Sequence, residues 1–411
     1  MIGAMIPSVR RRGLPAGAVM VVLAACGPVE RTVEHLFDSR TARERYEDAL
    51  VRAGLANSAL VNDWMVMASR SLAEAPAVTT PHVEEGLLRE ADVGAFAFRV
   101  TVRRGQEVTI GMQLHGDSTS QVFLDAFEVA DSAGTLNRVA AADSGRRSLT
   151  VEPRRAGDYI FRAQPELLRG GRFTLRIGLA PTLAFPVARG SVADIKSGWG
   201  APRDGGARDH RGVDIFARRR TPAIAATSGY IFRVDSNTLG GLVVWLRDDR
   251  GNRLYYAHLD QQTVTQGQYV QVGDTLGLIG NTGNARRTPP HLHFGVYRRG
   301  EGAMDPRWFV TPLPGHTPRL AVDTALLGAR ARVTRVTDVH EAPRGAARTR
   351  ASLASHAEVQ VLSAVGPYFR VRLDDGRTGY VHAGRVGPAP AALAVADSAT
   401  RTRATGSDGL R

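Results

Sequence analysis

One cysteine and one lysine are all that this 411-residue chain holds of either residue. A single cysteine excludes an intrachain disulfide. With Lys196 the only lysine, arginine carries nearly all of the positive charge, and the net charge is +13. Aromatic residues make up 6%, and the arginines are spread out, with no basic helix and no aromatic platform beside them. That pattern argues against a nucleic-acid partner. It suits attraction to anionic surface polymers, or a solvated basic face. Long apolar runs are lacking too. The one candidate, Gly13 to Ala25, is too short to span a bilayer as a stable helix.

That run has another use. Arg10-Arg11-Arg12 precede it and Leu23-Ala24-Ala25-Cys26 closes it. A basic start, a brief apolar core and small residues before a cut describe a secretory signal over 1–25. Leu-Ala-Ala-Cys resembles the bacterial lipoprotein box, which implies that Cys26 is lipidated and becomes the mature N-terminus, held at a membrane by its acyl chains. Gly27 stands where an aspartate is associated with inner-membrane retention. The resemblance therefore implies a lipid-anchored protein of the cell envelope, at the outer membrane or on the periplasmic side if the cell is diderm.

The length suggests about three domains, and 43% apolar content argues for a folded chain. The expected class is mainly β and multidomain. Residues 26–81 read as a helical spacer: a short hairpin of two amphipathic helices and a linker from Pro76 to Pro81. Asp38 or Ser39 is the expected first cap, with Ala42, Tyr46, Ala49 and Leu50 on one side. Asn57 or Ser58 is the expected second cap, with Leu60, Trp64, Met67 and Leu72 as the apolar stripe. From 82 to 182 the period changes. Phe96–Val102, Val108–Ile110, Val122–Leu124, Leu149–Val151, Tyr159–Phe161 and Phe173–Ile177 read as short strands of an antiparallel β-sandwich. Strand patterns return in 185–313, at Tyr230–Val234, Leu242–Leu246 and Arg253–Tyr256, with hairpin turns at Gly240-Gly241 and Asp249–Asn252. A third β-rich segment, 328–388, carries Tyr368–Leu373 and then Asp374-Asp375-Gly376-Arg377-Thr378-Gly379-Tyr380-Val381. It resembles the closing hairpin of small SH3-like barrels, which often bind wall peptides. Residues 389–411, rich in Ala, Thr, Ser and Gly, are expected to be a disordered tail.

The chemistry gathers in 185–313. Pro290-His291-Leu292-His293-Phe294 sits in an extended stretch, so His291 and His293 share one face and Leu292 and Phe294 the other. Upstream are His210-Arg211-Gly212-Val213-Asp214 and Tyr256-Ala257-His258. A catalytic zinc site keeps three protein ligands and an open position. His210, Asp214 and one histidine of the pair suit that set. His258 and the other histidine are left to handle protons.

His-x-x-x-Asp, Tyr-x-His and His-x-His-Phe in this order resemble the lysostaphin-like zinc endopeptidases that cut peptidoglycan cross-links. The resemblance covers about 190–313. It includes Gly198-Trp199-Gly200 with Pro202 and Arg203, Gly267-Gln268-x-Val270, Gly273-Asp274 and Ile279–Gly283. It implies one zinc ion per chain on His210, Asp214 and His293, proton transfer by His258 and His291, and a substrate contact from Arg203. It also implies peptidoglycan as the partner, with an unknown protein regulator possible. Relatives that have lost ligands bind wall or activate a wall amidase, so a non-catalytic scaffold is the alternative; here all five residues are present. Two departures stand at the rim. The family usually reads Gly-Pro-His-Leu-His-Phe-Glu, whereas this chain has Pro289-Pro290 before the pair and Gly295 after Phe294. Asn284-Ala285-Arg286-Arg287 stands where small residues are common.

Overall fold

The structure, a computed structural model, describes residues 40–90, 93–116, 120–313, 315 and 319–389. The expected signal with Cys26, the cap candidates Asp38 and Ser39, and the tail from 390 lie outside the described residues. As expected, the chain is mainly β.

Two helices open the described part, Ala42–Arg52 and Ala59–Ala73. Thr41 caps the first. Its hydroxyl accepts from Glu44 N at 3.2 Å, and its own N–H donates to Glu44 Oε2 at 2.7 Å, a reciprocal box that satisfies two orphan donors. Ser58 caps the second. The buried residues of the second helix are Val61, Trp64, Ala68 and Ser71; of the expected stripe Trp64 is among them, while Leu60, Met67 and Leu72 are only half-buried. The reason is tertiary. Trp64 is the anchor: its Nε1–H donates to Pro165 O at 2.9 Å, and its ring meets Phe123 edge-on at 5.9 Å. That seat turns the helix by its largest side chain. The hairpin is thus packed onto the sandwich.

The sandwich has two four-stranded antiparallel layers. One runs Phe96–Val102, Gly157–Pro165, Val122–Val129, Leu136–Ala141. The other runs His82–Leu88, Gly171–Pro181, Gln106–Leu114, Ser148–Val151. All six expected strands lie within these. His82–Leu88 and the exposed edge Leu136–Ala141 were not foreseen. Strict alternation in Gln106–Leu114 sends Val108, Ile110, Met112 and Leu114 inward, against Phe98, Leu124, Phe161, Phe173 and Leu175.

Residues 82–182 and 328–388 are expected to be separate modules. In the structure they share one 11-stranded sheet, because His82–Leu88 pairs with Glu358–Val365 through Glu85↔Ala364 and Gly86↔Ser363. A buried charge sits at this seam. Glu84 is fully buried and accepts from Ser363 Oγ and from Tyr380 OH at 3.4 Å. His82 Nε2 lies 3.1 Å away and Arg370 Nη1 3.6 Å away. The Arg370 guanidinium also lies over Phe96, Phe98 and Tyr380 at 5.4–5.8 Å. Burial alone would raise the Glu84 carboxyl, but Arg370 and His82 reverse this and hold it below its ordinary value.

Residues 195–304 build a second, 10-stranded sheet. Its main path runs Tyr269–Val270, Gly229–Asn237, Gly241–Arg247, Asn252–Gln262, His291–Arg298, Val213–Phe216, Ile195–Ser197. The face carrying Ile231, Leu246, Leu254, Tyr256, Phe294 and Val296 is buried as the core, which leaves the other face for the site. This unit rests on the sandwich. Glu152 receives Arg298 at 2.7 Å and Arg250 at 3.2 Å, and Phe309 lies so close to Gly105 that a Cβ there would fall 2.5 Å from its ring.

Breaking the buried pair at the seam is expected to be costly. Arg370→Ala leaves Glu84 buried with only His82 to offset its charge, with an expected loss of about 3–5 kcal/mol. Urea unfolding measures it, and the sandwich and the C-terminal segment should unfold in one transition. A loss under about 1 kcal/mol would mean that Arg370 does not compensate Glu84.

Candidate active site

Five histidine and aspartate side chains from four segments meet on the open face of the second sheet. The pairing of two central strands sets most of it. Val213–Phe216 and His291–Arg298 run antiparallel with Asp214↔His293 and Phe216↔His291 in register. Residues directly opposite are about 5 Å apart, so Asp214 and His293 are neighbours and His291 is one step further along. The expected shared face of His291 and His293 is the one observed. His291 stacks on Phe216 with ring centres 4.9 Å apart and planes 21° from parallel.

Asp214 Oδ1 lies 3.0 Å from His210 Nε2 and 3.0 Å from His293 Nδ1, and those two nitrogens are 2.9 Å apart. His210 is held by its other nitrogen. Nδ1 is 2.8 Å from Gly198 O; a carbonyl only accepts, so Nδ1 carries the proton and Nε2 presents a bare lone pair. A lone pair facing a carboxylate at 3.0 Å repels unless a cation lies between. Where a proton rather than a metal fills that edge, burial opposes the charge on Asp214, but hydrogen bonds from His210 and His293 outweigh it and hold the carboxyl well below the usual range. This donor set fits zinc. Bonds of about 2.0–2.1 Å in a tetrahedron place donor atoms roughly 3.3 Å apart, a few tenths of an ångström more than found here. His210, Asp214 and His293 form the one such cluster among the described residues.

His258 reaches the site by a break in the strand. Simple alternation along Asn252–Gln262 would send it inward with Leu254 and Tyr256. Pairing with the neighbouring strand slips between Leu242↔Leu259 and Val244↔Tyr256, one residue being extra. His258 takes that place at φ 63°, a left-handed conformation that costs on the order of 1–3 kcal/mol at a non-glycine residue. The bulge turns its ring toward His291, centre to centre 4.9 Å, and returns Leu259 to the core. His258 Nδ1 donates to Thr282 O at 2.9 Å and His291 Nδ1 donates to Pro289 O at 2.9 Å. Each Nε2 is therefore free to take a proton. Burial, then the charges of His291 and His293, push His258 down to about 4, so it is neutral at pH 7.

Arg203, expected at the substrate, has Nη2 on Asp214 Oδ2 at 2.5 Å and on Ser197 Oγ at 2.7 Å. It orients the shared carboxylate. Three contributions escaped sequence reasoning. Gly198 holds His210 through a carbonyl, which no side-chain pattern reveals. Thr282 holds His258 in the same way, and its hydroxyl donates to Leu259 O at 2.7 Å. Gly212 makes room for a ligand: a Cβ there would lie 2.7 Å from the His293 ring and 2.6 Å from Phe294 O. Its position inside the His-x-x-x-Asp motif was the available signal.

Residues 208–306 match the family described as Peptidase family M23. Over 134 residues the chain is 34% identical to the L-Ala--D-Glu endopeptidase of Bacillus subtilis, covering 30% of this chain and 41% of that protein. Over 135 residues it is 31% identical to the peptidoglycan DD-endopeptidase ShyC of Vibrio cholerae, covering 33% of this chain and 30% of that protein. The chain thus spans less than half the length of these curated relatives. Among solved structures it is similar to the catalytic domain of lysostaphin from Staphylococcus simulans, with 34% identity, 28% of this chain and 90% of that chain covered, and a TM-score of 0.26.

Gly212→Ala is expected to displace the His293 ring while leaving every ligand in the chain. Metal affinity should fall about tenfold or more, in the range seen when a ligand loses its orientation. A competition titration with a chromogenic chelator reads this; an unchanged affinity would show that His293 does not need this clearance.

Proposed function

We propose, from the match of residues 208–306 to peptidase family M23, that this chain is a lipid-anchored, zinc-dependent endopeptidase that hydrolyses peptide cross-links of peptidoglycan in cell-wall remodelling. The observation that carries the reading is the convergence of His210 Nε2, Asp214 Oδ1 and His293 Nδ1 within 3.0 Å, beside two imidazoles with free Nε2 atoms. The names of the relatives, a peptidoglycan DD-endopeptidase among them, support the wall as substrate. His210, Asp214 and His293 would hold one zinc ion, and when bound it polarises the scissile carbonyl and lowers the pKa of water. His258 Nε2 and His291 Nε2 accept and return protons, each fixed by a backbone carbonyl on the opposite nitrogen. One of the two also stabilises the tetrahedral oxyanion. Arg203 keeps Asp214 in place. The wall contacts fall to the flanking sandwich and to the C-terminal segment, which we read as SH3-like. Leu23-Ala24-Ala25-Cys26 supports an envelope location, anchored through an acylated Cys26.

Three variants test the assignment of roles. His293→Ala removes one of three ligands, so zinc and turnover should fall together. His291→Ala and His258→Ala leave all three ligands in place. They should keep zinc and lose on the order of 10²–10⁴-fold in turnover, the usual contribution of a positioned acid or base. Elemental analysis beside hydrolysis of a cross-linked muropeptide gives both readouts. Zinc loss in His291→Ala with retention in His293→Ala would reverse the roles. A wild-type protein that binds wall but leaves the muropeptide intact would favour the scaffold.

The anchor is tested separately. Mass spectrometry of protein extracted from membranes should find an N-terminal, acylated Cys26. An uncleaved chain with an unmodified thiol would remove the anchor and leave the enzyme reading standing.

A further inference from the structure

The open face of the second sheet does not end at the metal cluster. Across the strands from His293 runs a continuous row of rings. Tyr255 meets His293 edge-on at 5.8 Å, Trp245 lies 4.4 Å from Tyr255, and Tyr297 and Phe232 lie 5.3 and 5.8 Å from Trp245. All four rings are partly exposed. Only 6% of the chain is aromatic, so four adjacent rings on one unpartnered face beside the site form a local concentration. The core of this sheet lies on the opposite face, under Ile231, Leu246, Leu254 and Phe294, and does not need them.

The sequence makes this shelf possible at Gly295. That residue pairs with Tyr255 across the strands. A Cβ at Gly295 would lie 2.9 Å from the Tyr297 ring. Glycine lets Tyr297 close over this position and join Trp245, where a carboxylate would have divided the row. The shelf is flanked by positive charge: the Arg253 guanidinium lies 5.9 Å over the Phe232 ring.

We propose that Trp245, Tyr255, Tyr297 and Phe232 form a sugar subsite that takes an N-acetylated amino-sugar ring of the glycan strand carrying the scissile peptide. The identification of the glycan rests on the peptidoglycan reading given under Proposed function. Chemistry favours a sugar over the peptide. A pyranose offers a face of C–H bonds to an aromatic ring, whereas short stem peptides carry few large apolar side chains. Length agrees. The row leaves His293 in ring-to-ring steps of 5.8, 4.4 and 5.8 Å, and an extended peptide advances about 3.3–3.6 Å per residue. A stem of a few residues with its bond at the metal cluster therefore brings its sugar over Trp245 and Phe232. The shelf makes this a peptidase that recognises a glycan-attached stem.

The test compares a cross-linked muropeptide that keeps its disaccharides with the same peptide dimer after an amidase has removed them. Wild-type protein should prefer the glycan-bearing form. In Trp245→Ala the ratio of kcat/KM between the two substrates should fall at least tenfold, through KM and not kcat. Gly295→Glu should lower the ratio similarly by dividing the shelf while leaving the tryptophan and the core intact, so that misfolding of one variant does not decide the outcome. A second arm needs no catalysis: metal-free wild-type protein should bind peptide-free glycan oligosaccharides by calorimetry, and Trp245→Ala should not. Equal losses on both substrates in both variants, or no oligosaccharide binding by wild type, overturns the sugar subsite. If neither substrate is cleaved but the oligosaccharide binds through Trp245, the endopeptidase reading fails and the subsite stands.

Discussion

Everything in the candidate site is arranged around one carboxylate. Asp214 Oδ1 faces His210 four residues earlier and His293 across the strand pair, and Oδ2 takes Arg203. A buried carboxylate with this many neighbours is stable only if its charge is compensated. Arg203 supplies one cation on one oxygen. The other oxygen looks at the bare nitrogen of His210, and that edge calls for a second. The need for a cation is thus built into the hydrogen-bond directions, set by carbonyls at Gly198, Thr282 and Pro289 that fix which nitrogen of each imidazole carries the proton.

Holding these groups strains the sheet at one place and restricts it at two others. His258 sits at positive φ in the middle of a long strand, and the surrounding pairing determines it: its N–H donates to Gly240 O at 2.7 Å and its carbonyl accepts from Gly280 N at 3.0 Å. Gly241 and Gly283, both at positive φ, lock against each other beside Thr282, which in turn holds the His258 ring; a Cβ at Gly241 would fall 2.1 Å from Thr282 Oγ1. Gly212 leaves the space that His293 occupies. The histidines do the chemistry in this reading, and the glycines around them decide where the histidines are.

The flanking segments are bound to this unit more tightly than a chain of beads would be. Glu84 and Arg370, 286 positions apart in sequence, meet inside a sheet that joins the sandwich to the C-terminal segment. Glu152 then ties the sandwich to the second sheet by two arginines. Surface pairs of this kind are worth little individually, but the buried seam is specific, since each charge is costly without the other. The surfaces of these segments are therefore presented in a fixed order.

Local pattern determined much of this. The β class, all six strands foreseen in the sandwich and the strands around the site follow from period-two alternation. The same alternation put His291 and His293 on one face, and the spacing and order of the motifs marked His210, Asp214 and His258. What the sequence could not decide is what depends on register between strands. Residue types alone left open which histidine of the pair is the ligand; the pairing of Asp214 with His293, and of Phe216 with His291, places His293 at the cluster. Alternation alone would have buried His258 with Tyr256, and the bulge overrides it. The strand His82–Leu88 was missed because two acidic residues interrupt its apolar pattern, and Glu84 is tolerable there only because Arg370 arrives from the far end of the chain. Ligand identity, the bulge and the buried charge are all set by contacts between residues distant in sequence, and those exist only once the sheets have formed.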